Sequence, residues 1–185
     1  MVLPSRGTQL LDAQAILRRV GIVSGSFVAD LGCGAAGHFT FPAARLVGEQ
    51  GKVYAVDIQK TILDVIQRRA RAESIHNIET VHSDLEVSHA TKIPQESLDL
   101  ALVITVLFQT KKHDAVLREA VRLTRPKGKI LMLDWKQDGT TPFAPPPALR
   151  VSPETLRTIA RSLNLEEVDD FDAGPSHYAL VFRKI

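Results

Sequence analysis

Short apolar runs alternate with amphipathic stretches along most of this chain. In runs such as residues 98–106 and 129–134 nearly every position is apolar, which is typical of strands that helices cover on both faces. Between these runs, apolar residues recur every three or four positions, as on one side of a helix; the first such stripe runs from Leu10 to Val20. The pattern predicts strands over residues 27–31, 52–56, 78–82, 98–106 and 129–134, with helices over residues 10–20, 36–47, 62–70 and 114–123.

After the fifth strand the pattern changes. Residues 136–151 contain four prolines and no apolar period, which predicts a long loop. Ser152 followed by proline is a typical helix start, and the last two strands, over residues 165–168 and 178–182, are joined by a turn near Gly174. That turn is too short for a crossover helix, so the two strands should pair antiparallel. The predicted fold class is α/β: a Rossmann-like, doubly wound sheet of seven strands, mostly parallel, with a C-terminal antiparallel hairpin and helices on both faces.

Length and composition favour one domain over residues 1–185, with an N-terminal helix in residues 1–21 and an active-site loop at residues 136–151. A net charge of +2 is too small to indicate a nucleic-acid partner, so none is expected. The lone Cys33 excludes an internal disulfide and a cysteine metal cluster, and it favours a reducing, cytoplasmic location. No histidine spacing suits a metal, the start lacks a signal-peptide core, and no apolar run is long enough for membrane insertion.

The most informative motif is the glycine-rich turn Val-Ala-Asp-Leu-Gly-Cys-Gly-Ala-Ala-Gly at residues 28–37. An apolar strand ends there in Asp30, and Gly32, Gly34 and Gly37 together spell GxGxxG. Glycine lets backbone amides approach a ligand where a Cβ would block them, and the helix predicted downstream would add its N-terminal amides. Because ligands of doubly wound sheets bind beyond the carboxyl ends of the strands, the motif predicts a nucleotide-like cofactor at this edge.

Asp30 distinguishes between two cofactors. A dinucleotide would place its pyrophosphate against this turn, where a carboxylate would repel it. S-adenosylmethionine (SAM) has no phosphate, and its ammonium group suits a carboxylate. Asp57, at the end of the second strand, is placed to accept two ribose hydroxyl protons, but it would serve NAD equally well. Asp84, past the third strand, could accept from the adenine amine or could only cap the segment that follows it.

Five sequence segments carry a family resemblance: VADLGCGAAGHF, VYAVDIQ, HSDLE, LDLALVITVLF and LTRPKGKILMLDW. They stand in the order and spacing of the class I SAM-dependent methyltransferases. Within that family the chain resembles most the small-molecule group that includes ubiquinone/menaquinone-biosynthesis-like enzymes. The resemblance covers roughly residues 10–135, and the ending HYALVFRK is similar to the family's last strand.

The resemblance implies methyl transfer from SAM to a small-molecule acceptor. It also implies that the methionine part of SAM lies against Asp30, Gly32, Cys33 and Gly34, the ribose against Asp57 and Ile58, the adenine against Asp84 and Leu85, and the methyl group beside Ile104 and Thr105. Cys33 would act through its neighbouring amides rather than through its sulfur. No catalytic residue is assigned, because His38, His113 and Asp134 are candidate bases by location only.

The sequence departs from the family pattern at two places, and the second departure bears on the acceptor. Ala35, Ala36 and Gly37, followed by His38, stand where family members usually carry a second Gly or Pro-Gly and then an aromatic residue. Residues 105–108, Thr-Val-Leu-Phe, replace the Asn/Asp-Pro-Pro-Tyr/Phe motif of enzymes that methylate nucleobase amines or glutamine amides. The second departure argues against RNA and protein acceptors of that kind.

Alternatives remain open on the sequence alone. The chain could be a non-catalytic SAM-binding or scaffold protein of the same fold, although three well-placed carboxylates argue against that. An NAD-dependent oxidoreductase is disfavoured by Asp30 and by the absence of a Tyr-x-x-x-Lys pair. Phe108, Trp135 and Phe143 could line an acceptor pocket or only pack. The sequence leaves open whether the chain forms a homodimer.

Overall fold

The computed structural model describes residues 11–139 and 141–185, and within them the chain forms seven strands and five α-helices. The strands are β1 Phe27–Leu31, β2 Lys52–Asp57, β3 Ile78–His82, β4 Leu98–Ile104, β5 Thr124–Trp135, β6 Leu165–Asp172 and β7 His177–Lys184. The helices are α1 Ala13–Arg19, α2 Thr40–Val47, α3 Lys60–Ala72, α4 His113–Leu123 and α5 Pro153–Ser162. The first ten residues of the predicted N-terminal segment lie outside the described residues.

All seven strands belong to one sheet, in the order β3-β2-β1-β4-β5-β7-β6. The five strands β1 to β5 run parallel, whereas β7 lies between β5 and β6 and is antiparallel to both. Strand order reverses between β1 and β4, which opens a crevice beyond their carboxyl ends. The predicted fold class, with its antiparallel C-terminal hairpin, is confirmed.

Helices cover both faces of the sheet, as apolar strands require. Helices α1, α2 and α3 pack on one face, and α4 and α5 pack on the other. Neighbouring residues of β1 therefore enter different cores: Val28 faces α1 and α2, Ala29 faces α4, and both are fully buried. No helix among those described is long and apolar enough to cross a membrane.

Several element boundaries differ from the sequence-based prediction, and backbone conformation explains two of them. Strand β4 ends at Ile104 rather than at residue 106, because Thr105 adopts a φ of 50°, far from the extended backbone of a regular strand. Helix α2 begins at Thr40 rather than at residue 36, because Gly34 and Gly37 both have positive φ and hold the preceding residues in a turn.

Strand β5 also differs, since it begins at Thr124 and not at residue 129. The Pro126-Lys127-Gly128 segment, whose composition is typical of a turn, lies inside the strand as an irregularity. The β4–β5 register shifts there, from Leu98 opposite Thr124 to Leu100 opposite Lys129. Between these two pairs β5 has more residues than β4, so some residues of β5 have no partner on β4, as in a β-bulge.

A buried carboxylate fastens the segment after β3 to helix α4. Glu119 is 2% exposed and accepts hydrogen bonds from the backbone amides of His89 and Thr91. Arg122 donates to both of its oxygens, at 2.8 and 2.7 Å, and also to the Thr91 carbonyl. Burial alone would raise the pKa of Glu119, but the bonds from Arg122 and Thr91 outweigh burial and lower that pKa to about 2.

We expect Glu119→Ala to destabilise the fold by about 3 kcal/mol or more, because it leaves the Arg122 guanidinium without its buried partner. Asp114→Ala is the matched control, since it removes an exposed carboxylate paired with Arg118 on the same helix and should cost about 0.5 kcal/mol or less. Urea unfolding would measure both. Because folding lowers the pKa of Glu119, its contribution should be complete above about pH 5 and should decline as the pH falls toward 2. Equal losses in the two variants would contradict this assignment.

Candidate functional site

The glycine-rich turn after β1 is bonded to the end of β2. The amides of Gly32 and Cys33 both donate to the Val56 carbonyl, at 2.8 and 3.0 Å. The Gly34 amide donates to the Asp57 carboxylate at 3.2 Å. These three amides are therefore engaged inside the protein, so the turn contributes to a ligand site mainly by its shape, and Ala35 is the first turn residue whose amide donates to nothing in the described part of the chain.

Gly32 permits a second close approach, to the segment after β4. Its φ is +87°, and a Cβ added there would lie 2.5 Å from Cγ2 of Val106. No real Cβ tolerates such a contact, and a positive φ is itself unfavourable for any other residue. The turn after β1 thus touches the carboxyl ends of both β2 and β4, on either side of its own strand.

Asp30 lies at this edge but is almost fully buried. It is 3% exposed, and its Oδ2 accepts a hydrogen bond of 2.6 Å from the hydroxyl of Thr40, the first residue of α2. Burial raises the pKa of Asp30 to about 6; the Thr40 bond opposes that shift, and the nearby Asp57 carboxylate adds to it. The Asp30 carboxyl therefore holds a proton more readily than an ordinary aspartate, and a cation bound beside it would favour its ionised form.

Asp57 and Ile58 form the next part of the edge. Each oxygen of Asp57 accepts one backbone amide, from Gln59 at 3.0 Å and from Gly34 at 3.2 Å. These two bonds orient the carboxylate and leave each oxygen able to accept a further donor. Ile58, directly after it, keeps 57% of its surface exposed, which is unusual for a large apolar residue in this chain.

Asp84 and Leu85 follow β3, beside the end of β2. The parallel register places Asp57 opposite His82, two residues before Asp84. Asp84 Oδ1 accepts a hydrogen bond from the Glu86 amide at 2.9 Å, so Asp84 caps the segment that follows it. The other carboxylate oxygen makes no hydrogen bond within the described residues. Leu85 is buried in the core that faces α4. The cap is therefore present, and it leaves half of the carboxylate for a ligand.

The fourth part of the edge is the end of β4. Ile104 is 5% exposed and packs on the α1–α2 side of the sheet. Thr105 is held in its strained conformation by its amide, which donates to the Leu133 carbonyl at 2.8 Å, and by Gln109, whose side chain donates to the Thr105 carbonyl. Non-glycine residues with positive φ cluster at functional sites, where the surrounding structure holds them.

Sequence reasoning missed the residues that support this turn from a distance. Arg69 is one of the charged residues of the amphipathic helix α3, a pattern that predicts a solvated side chain, yet it donates to the Ala36 carbonyl at 2.8 Å and lies 3.9 Å over the Phe41 ring. His38 contacts the Leu11 carbonyl through Nε2 at 2.8 Å. Neither contact has a local sequence signature, because the partners are 33 and 27 residues apart.

The candidate bases are engaged with the backbone or buried, and the aromatic residues differ in exposure. Besides His38, the ring of His113 is engaged with the Leu107 carbonyl at 3.0 Å, and Asp134 is 1% exposed on β5. Among the aromatic residues, Trp135 is buried and Phe143 is 52% exposed. The described residues contain no group of three His, Cys, Asp or Glu side chains that could hold a metal ion.

Comparison with known proteins gives a consistent result. A family model described as a methyltransferase domain matches residues 22–165. The demethylmenaquinone methyltransferase of Geobacillus stearothermophilus is 29% identical over 122 residues, which cover 66% of this chain and 50% of that protein. The ubiquinone/menaquinone biosynthesis C-methyltransferase UbiE of Hahella chejuensis is 31% identical over 136 residues, 73% of this chain and 53% of that protein. The chain thus spans about half the length of the curated relatives it matches.

Solved structures share the fold. A SAM-dependent methyltransferase from Aquifex aeolicus superposes with a TM-score of 0.86 at 22% identity, covering 99% of this chain and 94% of the other. The [4+2]-cyclase SpnF superposes with a TM-score of 0.74 at 17% identity, covering 93% and 79%. At these identities the likeness establishes the architecture alone, and SpnF is named for a different reaction.

Replacing Gly32 with alanine tests whether glycine is needed there only for its positive φ or also for the close approach to Val106. Gly25→Ala is the matched control, because Gly25 has a similar φ of +84° but nothing lies within 4 Å of an added Cβ. The control should cost about 1 kcal/mol through backbone strain alone. Gly32→Ala should cost clearly more and should shift the backbone amide signals of Val106 and Thr105 in NMR spectra. If both variants lose the same stability and those signals stay in place, the close approach to Val106 does not constrain the turn.

Proposed function

The chain belongs to the SAM-dependent methyltransferase family, and we propose that it transfers a methyl group from SAM to a small-molecule acceptor. One observation above all supports the proposal. The glycine turn, Asp57 and the buried Asp30 meet at the carboxyl ends of the neighbouring strands β1 and β2, and hydrogen bonds join the turn to both Val56 and Asp57. This is the edge where doubly wound sheets bind their ligands.

The chemistry of the residues fits SAM part by part. The methionine ammonium suits the Asp30 carboxyl, which has only the Thr40 hydroxyl as a hydrogen-bond partner among the described side chains. The Asp57 oxygens can accept the two ribose hydroxyls in addition to their backbone amides. The exposed side chain of Ile58 offers an apolar surface to the adenine ring, and the second oxygen of Asp84 can accept from the adenine amine.

In the proposed reaction the chain mainly aligns the reactants and keeps water out. Bound SAM supplies a methyl group that is already electrophilic, since it is carried on a sulfonium. Ile104 and Thr105 present a rigid, buried strand end on which a methyl group can be held in line with an acceptor atom. No base is assigned, because the rings of His38 and His113 are engaged with backbone carbonyls and Asp134 is buried on the sheet face opposite Ile104.

A small acceptor is proposed from the relatives, whose names refer to demethylmenaquinone and to ubiquinone or menaquinone biosynthesis. In this chain, the segment over residues 136–151 lies between β5 and α5 beside the same edge, and we propose that it covers the acceptor within a single domain. Arg150 holds the segment together, since its guanidinium donates to the carbonyls of Pro145, Lys136, Gln137 and Gly139.

We expect the protein to bind SAM and not NAD. SAM at about 100 times its dissociation constant should stabilise the fold by roughly 2.7 kcal/mol. Asp57→Ala removes two charge-assisted hydrogen bonds to the ribose, so the affinity should fall at least tenfold. Isothermal titration calorimetry would measure it, with Asp64→Ala, an exposed carboxylate on α3, as the control of equal charge. Tight NAD binding without a SAM signal would refute the proposed cofactor, and SAM binding without turnover of any acceptor would favour the non-catalytic alternative.

Affinity for SAM should depend on pH through Asp30. Because the pKa of Asp30 in the free protein is about 6, binding a cation below that pH must expel a proton, and the affinity should fall by up to about tenfold per pH unit. Between about pH 7 and the pH at which the SAM ammonium itself begins to lose its proton, the affinity should be constant. Asp30→Asn should bind at least tenfold more weakly at pH 8 and should lose the pH dependence.

The same variant should gain stability without ligand. Folding raises the pKa of Asp30. Its contribution to the free energy of unfolding is therefore favourable while the carboxyl is protonated, and it is lost as the pH rises through about 6. Asp30→Asn removes that loss, and thermal unfolding at pH 8 should therefore show a higher Tm than the parent. Asp64→Asn should change neither Tm nor affinity. A parent protein whose affinity is flat between about pH 5 and pH 8 would contradict the role of Asp30.

A further inference from the structure

Four buried side-chain atoms in the described part of the chain have no hydrogen-bond partner, and three residues at one end of the β5–β7 pair carry all of them. They are Oδ2 of Asp134, Nε1 of Trp135 and both ring nitrogens of His177. All three side chains are at most 3% exposed. Such atoms are rare in native proteins because they lose their bonds to water and gain nothing in return.

A neighbouring buried polar group, the Tyr178 hydroxyl, does have a hydrogen-bond partner. Tyr178, the next residue of β7, is also buried, and its hydroxyl donates to the Val151 carbonyl at 2.8 Å. One buried polar side chain at this strand end therefore finds a partner within the fold, whereas the polar atoms of Trp135 and His177 do not.

Trp135 and His177 lie at the ligand edge of the sheet. They are directly opposite each other in the antiparallel register, at the carboxyl end of β5, and their rings are 4.1 Å apart with a tilt of 38°. Strand alternation puts Trp135 on the same face as Leu133, two residues earlier, which pairs with Ile104. The aromatic pair therefore extends the sheet face of Ile104 beyond the strand ends. Asp134 points to the opposite face, with Tyr178, and is not part of the pair.

The pair is uncharged but can both donate and accept. Burial, reinforced by the nearby Lys136 ammonium, lowers the pKa of His177 to about 4, so its imidazole is neutral at physiological pH. Lys136 is itself paired with Asp172 at 2.8 Å. A neutral imidazole has one N–H donor and one acceptor nitrogen, and the indole adds a second donor. An uncharged group that donates and accepts, such as a hydroxyl, matches this set, whereas an ion would be costly in so buried a place.

We propose that Trp135 and His177 bind the uncharged hydrogen-bonding group of the methyl acceptor. This inference rests on the proposed function, since it assumes that the acceptor meets the SAM methyl group beside Ile104. The start of the 136–151 segment is bound beside the pair: the Lys136 amide donates to the Ser176 carbonyl at 2.9 Å, and Gly139 lies against Ser176. Because both side chains of the pair are buried, acceptor entry requires neighbouring residues to move, and residues 136–139 are the adjacent loop segment.

The single tryptophan of the chain provides a direct readout. Phenol and toluene are matched probes, because both are uncharged rings and only phenol carries a hydroxyl. With SAM bound, Trp135 fluorescence should report saturable phenol binding at least tenfold tighter than toluene binding. In NMR spectra of protein loaded with SAM labelled with carbon-13 in its methyl group, phenol protons should show a nuclear Overhauser effect to that methyl.

Two substitutions of His177 test its part. His177→Phe keeps a stacked ring without polar atoms, so the preference for phenol should disappear while toluene binding and SAM affinity stay within about twofold of the parent. Its Tm should be equal to or higher than the parent's, because two unpartnered nitrogens are removed. His177→Gln restores a donor and an acceptor and should recover the preference for phenol. His76→Phe, at an exposed position, should behave like the parent.

The outcomes separate this inference from the proposed function. If SAM binds but phenol and toluene bind equally, or if His177→Phe keeps the preference for phenol, the assignment of the pair is overturned and the proposed function stands. If phenol binds without a nuclear Overhauser effect to the methyl group, the pair is not an acceptor site. If SAM itself does not bind, the proposed function fails, and the assignment fails with it because no methyl group is there to meet an acceptor.

Discussion

The candidate site depends on the close contact between Gly32 and Val106. With no side chain at residue 32, the turn after β1 can lie against the segment after β4 while its amides bond to Val56 at the end of β2. Three strand ends are thereby fixed relative to one another by one turn. A rigid scaffold that positions loop residues is what a binding site needs, because a misplacement of a single ångström weakens every contact made from it.

Most of the fold could be predicted from the sequence because its signals are local. Fully apolar runs indicate strands buried on both faces, and the short turn near Gly174 allows only an antiparallel pair. The boundaries that were missed depend on single backbone conformations. The φ of Thr105, which ends β4, is imposed by the Leu133 carbonyl and Gln109, and the shifted β4–β5 register arises from pairing between distant segments. Neither leaves a pattern in the neighbouring residues.

For the site, the sequence indicated which residues stand at the strand ends but not how they are supported. Asp30, Asp57 and Asp84 lie at the ends of three adjacent strands, as their positions after apolar runs predicted. Their partners could not be predicted, since Thr40 reaches Asp30 only because α2 begins four residues later than its apolar pattern indicates. The hydrogen bond from Arg69 to the turn could not be predicted either. A charged residue on an amphipathic helix is expected to be solvated, and the sequence does not show whether its side chain contacts the rest of the protein.

Three buried carboxylates, those of Glu119, Asp30 and Asp134, fall into two physical classes, and the difference between the classes points to the ligand edge independently of any motif. Glu119 lies on the buried side of α4, accepts hydrogen bonds from two backbone amides and a guanidinium, and has a pKa lowered to about 2. Asp30 and Asp134 stand at the carboxyl edge of the sheet, lack a cationic partner among the described residues, and have pKa values raised by burial to about 6 and about 7. The fold was able to satisfy a buried carboxylate in one place, so the incomplete satisfaction at the edge is not a general weakness of packing. A buried carboxylate without a cationic partner lowers the stability of the free protein, and a ligand that supplies the partner removes that cost. This is what is expected of a binding site.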